Sequence, residues 1–500
     1  MKRRGFLKTV ALGGAAATET SAQTAAEATT PATHPTEEAI SYPRRLTGRK
    51  LALIAFPLGG VAAGAISLGG RGQLRDWEIF NRSEKGKSPN YAFPAIWAQA
   101  GDAPPVARVL EARILPPFEG HDGLGAQNAP GLARLAAATF TGEYPLARID
   151  FRDAKLPVTV RLEAFSPFVP LEPDDSGLPV ALLRYRVRNP GKTRAKVSIA
   201  FAIDNPVTFE PPASNAPAAS RVNLFKEADG LAGLYMHNPG LEATAPRAGS
   251  FALCVLNPAG GRVTHLAGWP KARWWTSPLL FWDDFTADGE LGPETGARDA
   301  VGSLCLQREL APGAEAEFAF LLAWHFPNRT PARMGWSSNS GHADTLIGNY
   351  YAQRFPDAWA AAEYAAHKLP ELEKRMRQFL TVMRESTLPA PVKEAAMANA
   401  STLASTTCFR TADGRFFGWE GSGCCHGNCD HVWNYECTTH HLFPSYARSM
   451  RETHLEIAER MKGAMPIRAN LPLGFQTAGA CRSASRPRGS RRPTARWGRW

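Results

Sequence analysis

Val158-Thr-Val-Arg-Leu-Glu-Ala-Phe165 alternates apolar and polar residues, the period-two pattern of a strand with one face turned to a core. Its neighbours repeat the pattern. Val180 to Val187 alternates through Leu183, Tyr185 and Val187 and stops at Asn189-Pro190-Gly191, a turn signal. Lys196 to Ile203 ends at Asp204-Asn205-Pro206, and Phe251 to Leu256 and Phe318 to Trp324 continue the series. The β-like pattern runs from Arg45 to about Asn328 with no internal repeat. Strands at this spacing, punctuated by turns, predict a large antiparallel β-sandwich over residues 45–335.

Outward toward the C-terminus the period changes at about Gly341. Trp359, Tyr364, Leu369, Leu372 and Met376 recur every three to five residues, which predicts a helix over Tyr350 to Met383. Leu388-Pro-Ala-Pro breaks it. A second helix is expected from Val392 to Leu403, with Pro391 tolerated near its first turn. Further helices are expected through His440 to Tyr446 and from Ser449 to Met465. The fold class is therefore β then α, a sandwich followed by the opening helices of an α domain over residues 341–474.

Between the second and third of those helices lies Gly418 to Cys437, GWEGSGCCHGNCDHVWNYEC. Glu420 sits between Trp419 and Gly421 in a Gly-rich loop. Cys424, Cys425, Cys429 and Cys437 make up half of the eight cysteines, with His426 and His431 among them. This stretch reads as an active-site loop entering a helix. Its thiols and imidazoles suit three fates: zinc ligation, a disulfide in an oxidising compartment, or buried thiols. Structural zinc sites usually draw two pairs of ligands from separate turns, whereas all these share one loop, so neither a metal nor another cofactor is expected.

Toward the N-terminus, Leu51 to Gly70 is twenty residues without a charge, the length of a membrane span. Phe56-Pro57 interrupts it and five glycines dilute it, so a Gly-rich β-hairpin with close backbone packing is expected instead, with no transmembrane span in the mature protein. The start, Lys2-Arg3-Arg4-Gly5-Phe6-Leu7-Lys8, resembles a twin-arginine export signal over residues 1–23, which predicts a periplasmic or secreted protein. Residues 24–44 read as a linker rich in Ala, Thr, Pro and Glu.

The net charge of +11 does not signal nucleic acid. Arg482 to Trp500 carries seven Arg and no acid, and the first twenty-three residues add a further +3. The body is nearly neutral and has no footprint for a polyanion. Gln476 to Trp500 contains no Leu, Ile, Val, Phe or Met, so residues 475–500 are expected to be disordered. Their composition resembles a coding frame read out of register.

Two stretches resemble glycoside hydrolase family 116, the family of non-lysosomal glucosylceramidases and related bacterial β-glucosidases. One is Phe56-Pro-Leu-Gly-Gly-Val-Ala-Ala-Gly through Arg75-Asp-Trp77. The other is the Glu420 loop with its exit through Leu442-Phe-Pro444 and Arg448-Ser-Met-Arg-Glu452. Phe320-Leu-Leu-Ala-Trp-His-Phe-Pro327 adds to the likeness, which covers roughly Arg45 to Gly474. The resemblance implies a β-sandwich followed by an (α/α)6 barrel of six hairpins. It implies a retaining β-glycosidase of β-glucosidase or glucosylceramidase type, acting on β-glucosides or related glycosides, glycolipids included.

By that resemblance Glu420 is the nucleophile. Asp430 or His431 takes the place of a sugar-binding Asp, and Trp419 and Trp433 join them as candidate substrate-binding residues. The family's acid/base Asp lies downstream, and here no Asp or Glu follows Glu459. The chain is therefore expected to have little activity of its own. Two other readings are a non-catalytic carbohydrate-binding sandwich and a zinc module on the cysteine loop. Asp283-Asp284, behind Trp274-Trp275 and Phe281-Trp282, reads either as a sugar-cleft pair or as a turn cap.

Overall fold

The computed structural model describes residues 40–116, 129, 131–210, 220–271, 273–274, 276–294, 296, 298–336, 341–422, 424, 427–429, 438–465 and 468–475. The expected signal, residues 24–39 of the linker and residues 476–500 of the Arg-rich end lie outside the described residues. Two sheets form the sandwich. The larger has nine strands, in the order Arg44–Thr47, Ala137–Glu143, Leu146–Arg152, Thr159–Phe165, Val180–Arg188, Glu315–His325, Ser250–Leu256, Leu231–His237 and Val222–Ala228. Every neighbouring pair in it is antiparallel. The smaller has six, in the order Arg262–Leu266, Val301–Leu310, Ala195–Asp204, Ala92–Ala100, Val106–Ala112 and Arg134–Leu135. Only its last pairing is parallel.

The alternation seen in the sequence is the register of this sandwich. Leu183 pairs with Phe320 and Tyr185 with Phe318. Ala181, Leu183, Tyr185 and Val187 share one buried cluster with Ile96, Val197, Ile199 and Phe201 of the smaller sheet. The intervening residues Val180 and Leu182 are buried too, in a second cluster with Leu321, Ala323 and the helix Ala358–Glu385. The central strands thus have both faces covered. Glu163 and Arg184, the polar members of the alternation, are buried for the same reason.

That helix runs from an Asp357 cap, whose carboxylate accepts the Ala360 N–H at 2.8 Å, to Glu385. It buries Trp359, Leu369, Leu372, Met376 and Leu380 on the sheet, each contributing about 1.5–3 kcal/mol relative to exposure. The helix starts eight residues later than its periodicity suggests. Tyr351–Arg354 forms a separate turn, and Phe355-Pro356 divides the two. On the opposite side of the sandwich, the helix Ser277–Asp288 covers the smaller sheet with Phe281 and Phe285 against Phe93, Trp97 and Trp269.

A polar seam joins the long helix to the larger sheet. Arg184 donates to both oxygens of Glu373, at 2.7 and 2.8 Å, and Arg377 donates to Glu163 at 2.9 Å. Burial alone would raise the pKa of the Glu373 carboxyl, but the Arg184 and Arg377 guanidinium groups together outweigh it and the net shift is downward. A second buried cluster joins Glu84 and Glu210 to Arg82, Arg247 and Arg333. Burial opposes ionisation of Glu210, yet Arg333 and Arg247 bring its pKa down to about 2.

The charge-free stretch from Leu51 to Gly70 forms the antiparallel strands Ala55–Leu58 and Ala65–Gly69, extended by Leu74–Glu78. The backbone leaves no room for a side chain at the first two positions of the turn. A Cβ on Gly59 would meet the Gly64 carbonyl oxygen at 2.0 Å, and one on Gly60 the Leu178 oxygen at 2.3 Å. The turn docks on both parts of the chain, as Val61 N–H donates to Ser176 O and Ala62 N–H to Leu403 O. Among the described residues no helix is long and apolar enough to cross a membrane.

Beyond Gly341 the described helices longer than one turn are Ala358–Glu385, Ala390–Ala400 and Pro444–Arg460. Ala390–Ala400 lies within three residues of its expected bounds, whereas Pro444–Arg460 runs through the break expected between His440–Tyr446 and Ser449–Met465. These helices do not by themselves close a barrel. Replacing Arg184 with Met should remove the bidentate pair and leave Glu373 poorly compensated under the helix. Stability to urea is expected to fall by about 1–3 kcal/mol, with Arg184→Lys intermediate. A change below about 0.5 kcal/mol would show that the seam does not hold the helix to the sheet.

Candidate active site

The candidate loop is launched from a short hairpin, Cys408–Arg410 paired with Phe416–Gly418. Asp413-Gly414 turns it, with Gly414 at φ +87°. Pairing places Phe409 opposite Phe417, and their rings stack at 5.4 Å. Trp336, arriving from the end of the sandwich segment, packs edge-on against Phe409 at 5.5 Å and against Trp419 at 5.5 Å. These four aromatics, with Met334 and Leu471, form one buried cluster beneath the loop.

Trp419 is held within it. Its backbone N–H donates to Thr407 O at 2.9 Å and its indole N–H to Thr406 O at 3.2 Å. Only 3% of Trp419 is exposed. The sugar-facing role considered for Trp419 therefore does not describe this conformation: its indole supports the loop from below.

Past Trp419 the chain turns outward. Gly421 adopts φ +114°, a conformation that L side chains avoid. Cys424 N–H donates to Gly421 O, and Cys424 is exposed. The loop closes where Asn428, fully buried, accepts the Gly418 N–H at 2.8 Å. Asn428–Cys429 then pairs antiparallel with Arg468–Ala469, in the register Cys429 opposite Arg468. Gly427 permits that approach, because a Cβ there would meet Asn470 Oδ1 at 2.6 Å.

This register delivers Arg468 to Glu420. Its Nη1 donates to Glu420 Oε2 and its Nη2 to Oε1, both at 2.9 Å. The two side chains are 21% and 17% exposed, so the carboxylate is partly desolvated yet open to solvent. Bidentate guanidinium–carboxylate pairs combine charge with fixed geometry. Such a pair holds an anion in one orientation.

A second cation lies under the aromatic cluster. The Arg329 guanidinium sits 4.7 Å from the Phe409 ring and donates to Asn349 Oδ1 at 2.7 Å and Met334 Sδ at 3.0 Å. Burial pulls its pKa down to about 10, so it stays charged at neutral pH. Among the described residues it has no carboxylate partner.

Asp430, His431 and Trp433 lie outside the described residues, as do Cys425, His426, Cys437 and the side chain of Cys429. Cys254, Cys305 and Cys408 are buried. Among the described residues no group of three His, Cys, Asp or Glu could hold a metal. Asp283-Asp284 belongs to the helix over the smaller sheet, in a different cluster from the loop. There Asp284 accepts the Gly292 N–H at 3.0 Å, its pKa raised by burial, so it fixes a turn. Arg468 and Arg329 had no sequence signal. Each is a lone Arg whose role depends on contacts across the fold.

The family model described as beta-glucosidase 2, glycosyl-hydrolase family 116 N-terminal, matches residues 55–372. That is well over half of the chain, from the Gly-rich hairpin through the sandwich into the long helix.

The chain belongs to glycoside hydrolase family 116.

Solved structures resemble this family 116 chain only distantly. A bacterial glucoamylase complexed with acarbose is 9% identical over 87% of this chain and 53% of its own, with a TM-score of 0.37. A family GH92 α-mannosidase from Bacteroides thetaiotaomicron is 11% identical over 73% of this chain and 42% of its own, with a TM-score of 0.26. The chain thus spans about half the length of these structures, and likeness at this level carries no argument. Within the family 116 chain, Glu420 and Arg468 both lie beyond the matched segment.

Asn428→Ala should leave the buried Gly418 N–H without its acceptor, at a cost of about 1–3 kcal/mol. Amide exchange at Gly418 and Trp419 is expected to quicken while the sandwich strands keep their protection. Asn428→Asp, which keeps an acceptor, should stay near native. Unchanged exchange in Asn428→Ala would mean that this bond does not close the loop.

Proposed function

We propose that this chain carries the nucleophile of a retaining β-glycosidase of β-glucosidase type. Its substrates would be β-glucosides or related glycosides, including glycolipids. The observation that carries the reading is the Glu420 carboxylate, half-buried and held through both oxygens by Arg468, beside Gly421, which adds no side chain next to it. Family membership supports glycoside chemistry. On this reading the helices Ala358–Glu385, Ala390–Ala400 and Pro444–Arg460 are the first members of an (α/α)6 barrel.

A retaining enzyme uses two carboxyl groups about 5–5.5 Å apart, one as nucleophile and one as acid/base. No Asp or Glu follows Glu459 in this sequence, where the resemblance would put the second. A second reading is that the chain binds glycosides without turning them over. Substrates with a dinitrophenolate leaving group separate the two, because that group departs without a proton.

With such an aryl β-glucoside and azide, the wild-type chain should yield β-glucosyl azide, since two displacements at C1 restore its configuration. Glu420→Ala should lower release without azide by on the order of a thousandfold or more. Azide in the vacated space should then give the α-azide by a single displacement. No release from wild type would favour binding alone, and near-normal release from Glu420→Ala would dismiss Glu420 as nucleophile.

We further propose export, from the Arg3-Arg4 pair before Phe6-Leu7. A reporter fused to residues 1–27 should reach the periplasm, and Arg3→Lys with Arg4→Lys should retain it in the cytoplasm. Equal export of both fusions would contradict the assignment.

A further inference from the structure

We propose that Arg468 is the positioning residue of the nucleophile, and that it acts mainly by stabilising Glu420 as the free anion when the sugar leaves. The inference rests on Glu420 being the nucleophile, as argued above. Its basis is the bidentate contact: both carboxylate oxygens are held, each at 2.9 Å, by one guanidinium. The contact is built into the backbone. The short strand Arg468–Ala469 is fixed by its ladder to Asn428–Cys429, and Asn428 in turn holds Gly418, two residues before Glu420.

The two chemical steps use this contact unequally. In the first, a carboxylate electron pair forms the Oε–C1 bond, and the C1–O bond to the aryl group breaks with its pair leaving on the aryl oxygen. Glu420 is now a neutral ester. One of its oxygens is bonded to C1, and of the two contacts to Glu420 the guanidinium keeps only the one to the uncharged carbonyl oxygen. In the second step the Oε–C1 bond breaks and its pair returns to Glu420, while the incoming nucleophile bonds to C1. Both charge-assisted hydrogen bonds are then recovered. Arg468 therefore favours the carboxylate as a leaving group and does not favour its loss as a nucleophile. A residue that merely shaped the loop would affect both steps alike.

The test uses the full 500-residue chain and 2,4-dinitrophenyl 2-deoxy-2-fluoro-β-glucoside, whose fluorine slows both steps so that the labelled enzyme can be isolated. Labelling is followed by intact mass and by the mass of the Glu420 peptide. Release is followed as recovery of unlabelled enzyme in azide. Arg468→Ala should slow release by roughly ten- to hundredfold, the worth of one charge-assisted hydrogen bond, and slow labelling much less. Added guanidinium chloride should restore release, and sodium chloride at the same ionic strength should not. Arg468→Lys, which keeps the charge and loses the fork, should fall between and guards against misfolding of the alanine variant. Equal slowing of both steps without guanidinium rescue, or release at the wild-type rate, overturns the inference while leaving Glu420 in place. A wild-type chain that acquires no label on Glu420 overturns both.

Discussion

The outer face of the nine-stranded sheet is apolar where its central strands cross, and that face has to be covered. Val180 and Leu182 on one strand, with Leu321 and Ala323 on the next, would otherwise face water. The helix Ala358–Glu385 covers them, and the rest of the C-terminal part takes its position from that helix. Its exit leads through Ala390–Ala400 to Leu403, whose carbonyl receives the Ala62 N–H from the glycine turn. Cys408 follows within five residues and starts the hairpin that carries the loop. Sheet, helix, glycine turn and hairpin are thus successive consequences of one burial requirement.

The ionic seam under the helix has a different task from the apolar contacts beside it. Hydrophobic burial does not select one rotation or translation of a helix on a sheet. The Arg184–Glu373 fork does, because two parallel hydrogen bonds are satisfied in one placement only. Arg377, reaching Glu163 on a neighbouring strand, constrains the helix at a second point one turn away. Buried pairs of this kind add little net stability but penalise displaced arrangements heavily. Such a device suits a helix that must place a hairpin some twenty residues further along the chain.

Alternation along Val158–Phe165 and Val180–Val187 made the sandwich legible, because each strand buries a full face against the other sheet. It did not reveal that the larger sheet is covered twice. Period two cannot distinguish a polar residue facing solvent, such as Arg161, from one paired beneath a helix, such as Arg184. The long helix was legible from its apolar spacing, but its start was not. Asp357 caps it two residues after Phe355, and a cap is a local hydrogen bond that hydrophobic periodicity does not contain. Glu420 stood out as a candidate because its neighbours are unusual in type. Arg468 did not, since it arrives through a two-residue strand from 48 positions away, and nothing in Ile467-Arg-Ala-Asn470 marks it. Trp419 shows the opposite failure. An aromatic beside a candidate nucleophile suggests a sugar platform, yet the cluster with Trp336 and Phe417 claims it for packing.

The aromatic cluster also decides how charge is felt at the loop. Water screens charges effectively, whereas packed rings do not. Arg329 lies below Phe409 with only neutral partners among the described residues, so its charge is not cancelled locally. Burial costs it some basicity, and about 10 is still far enough above neutral pH to keep it cationic. One cation therefore sits beside Glu420 and another beneath the floor on which its loop rests. The first is directional and sets the orientation of the carboxylate. The second acts within the cluster, on the Phe409 ring, Asn349 and Met334. On the proposed reading the Glu420 carboxylate must leave as an anion when the sugar departs, and it is that step which the Arg468 fork serves.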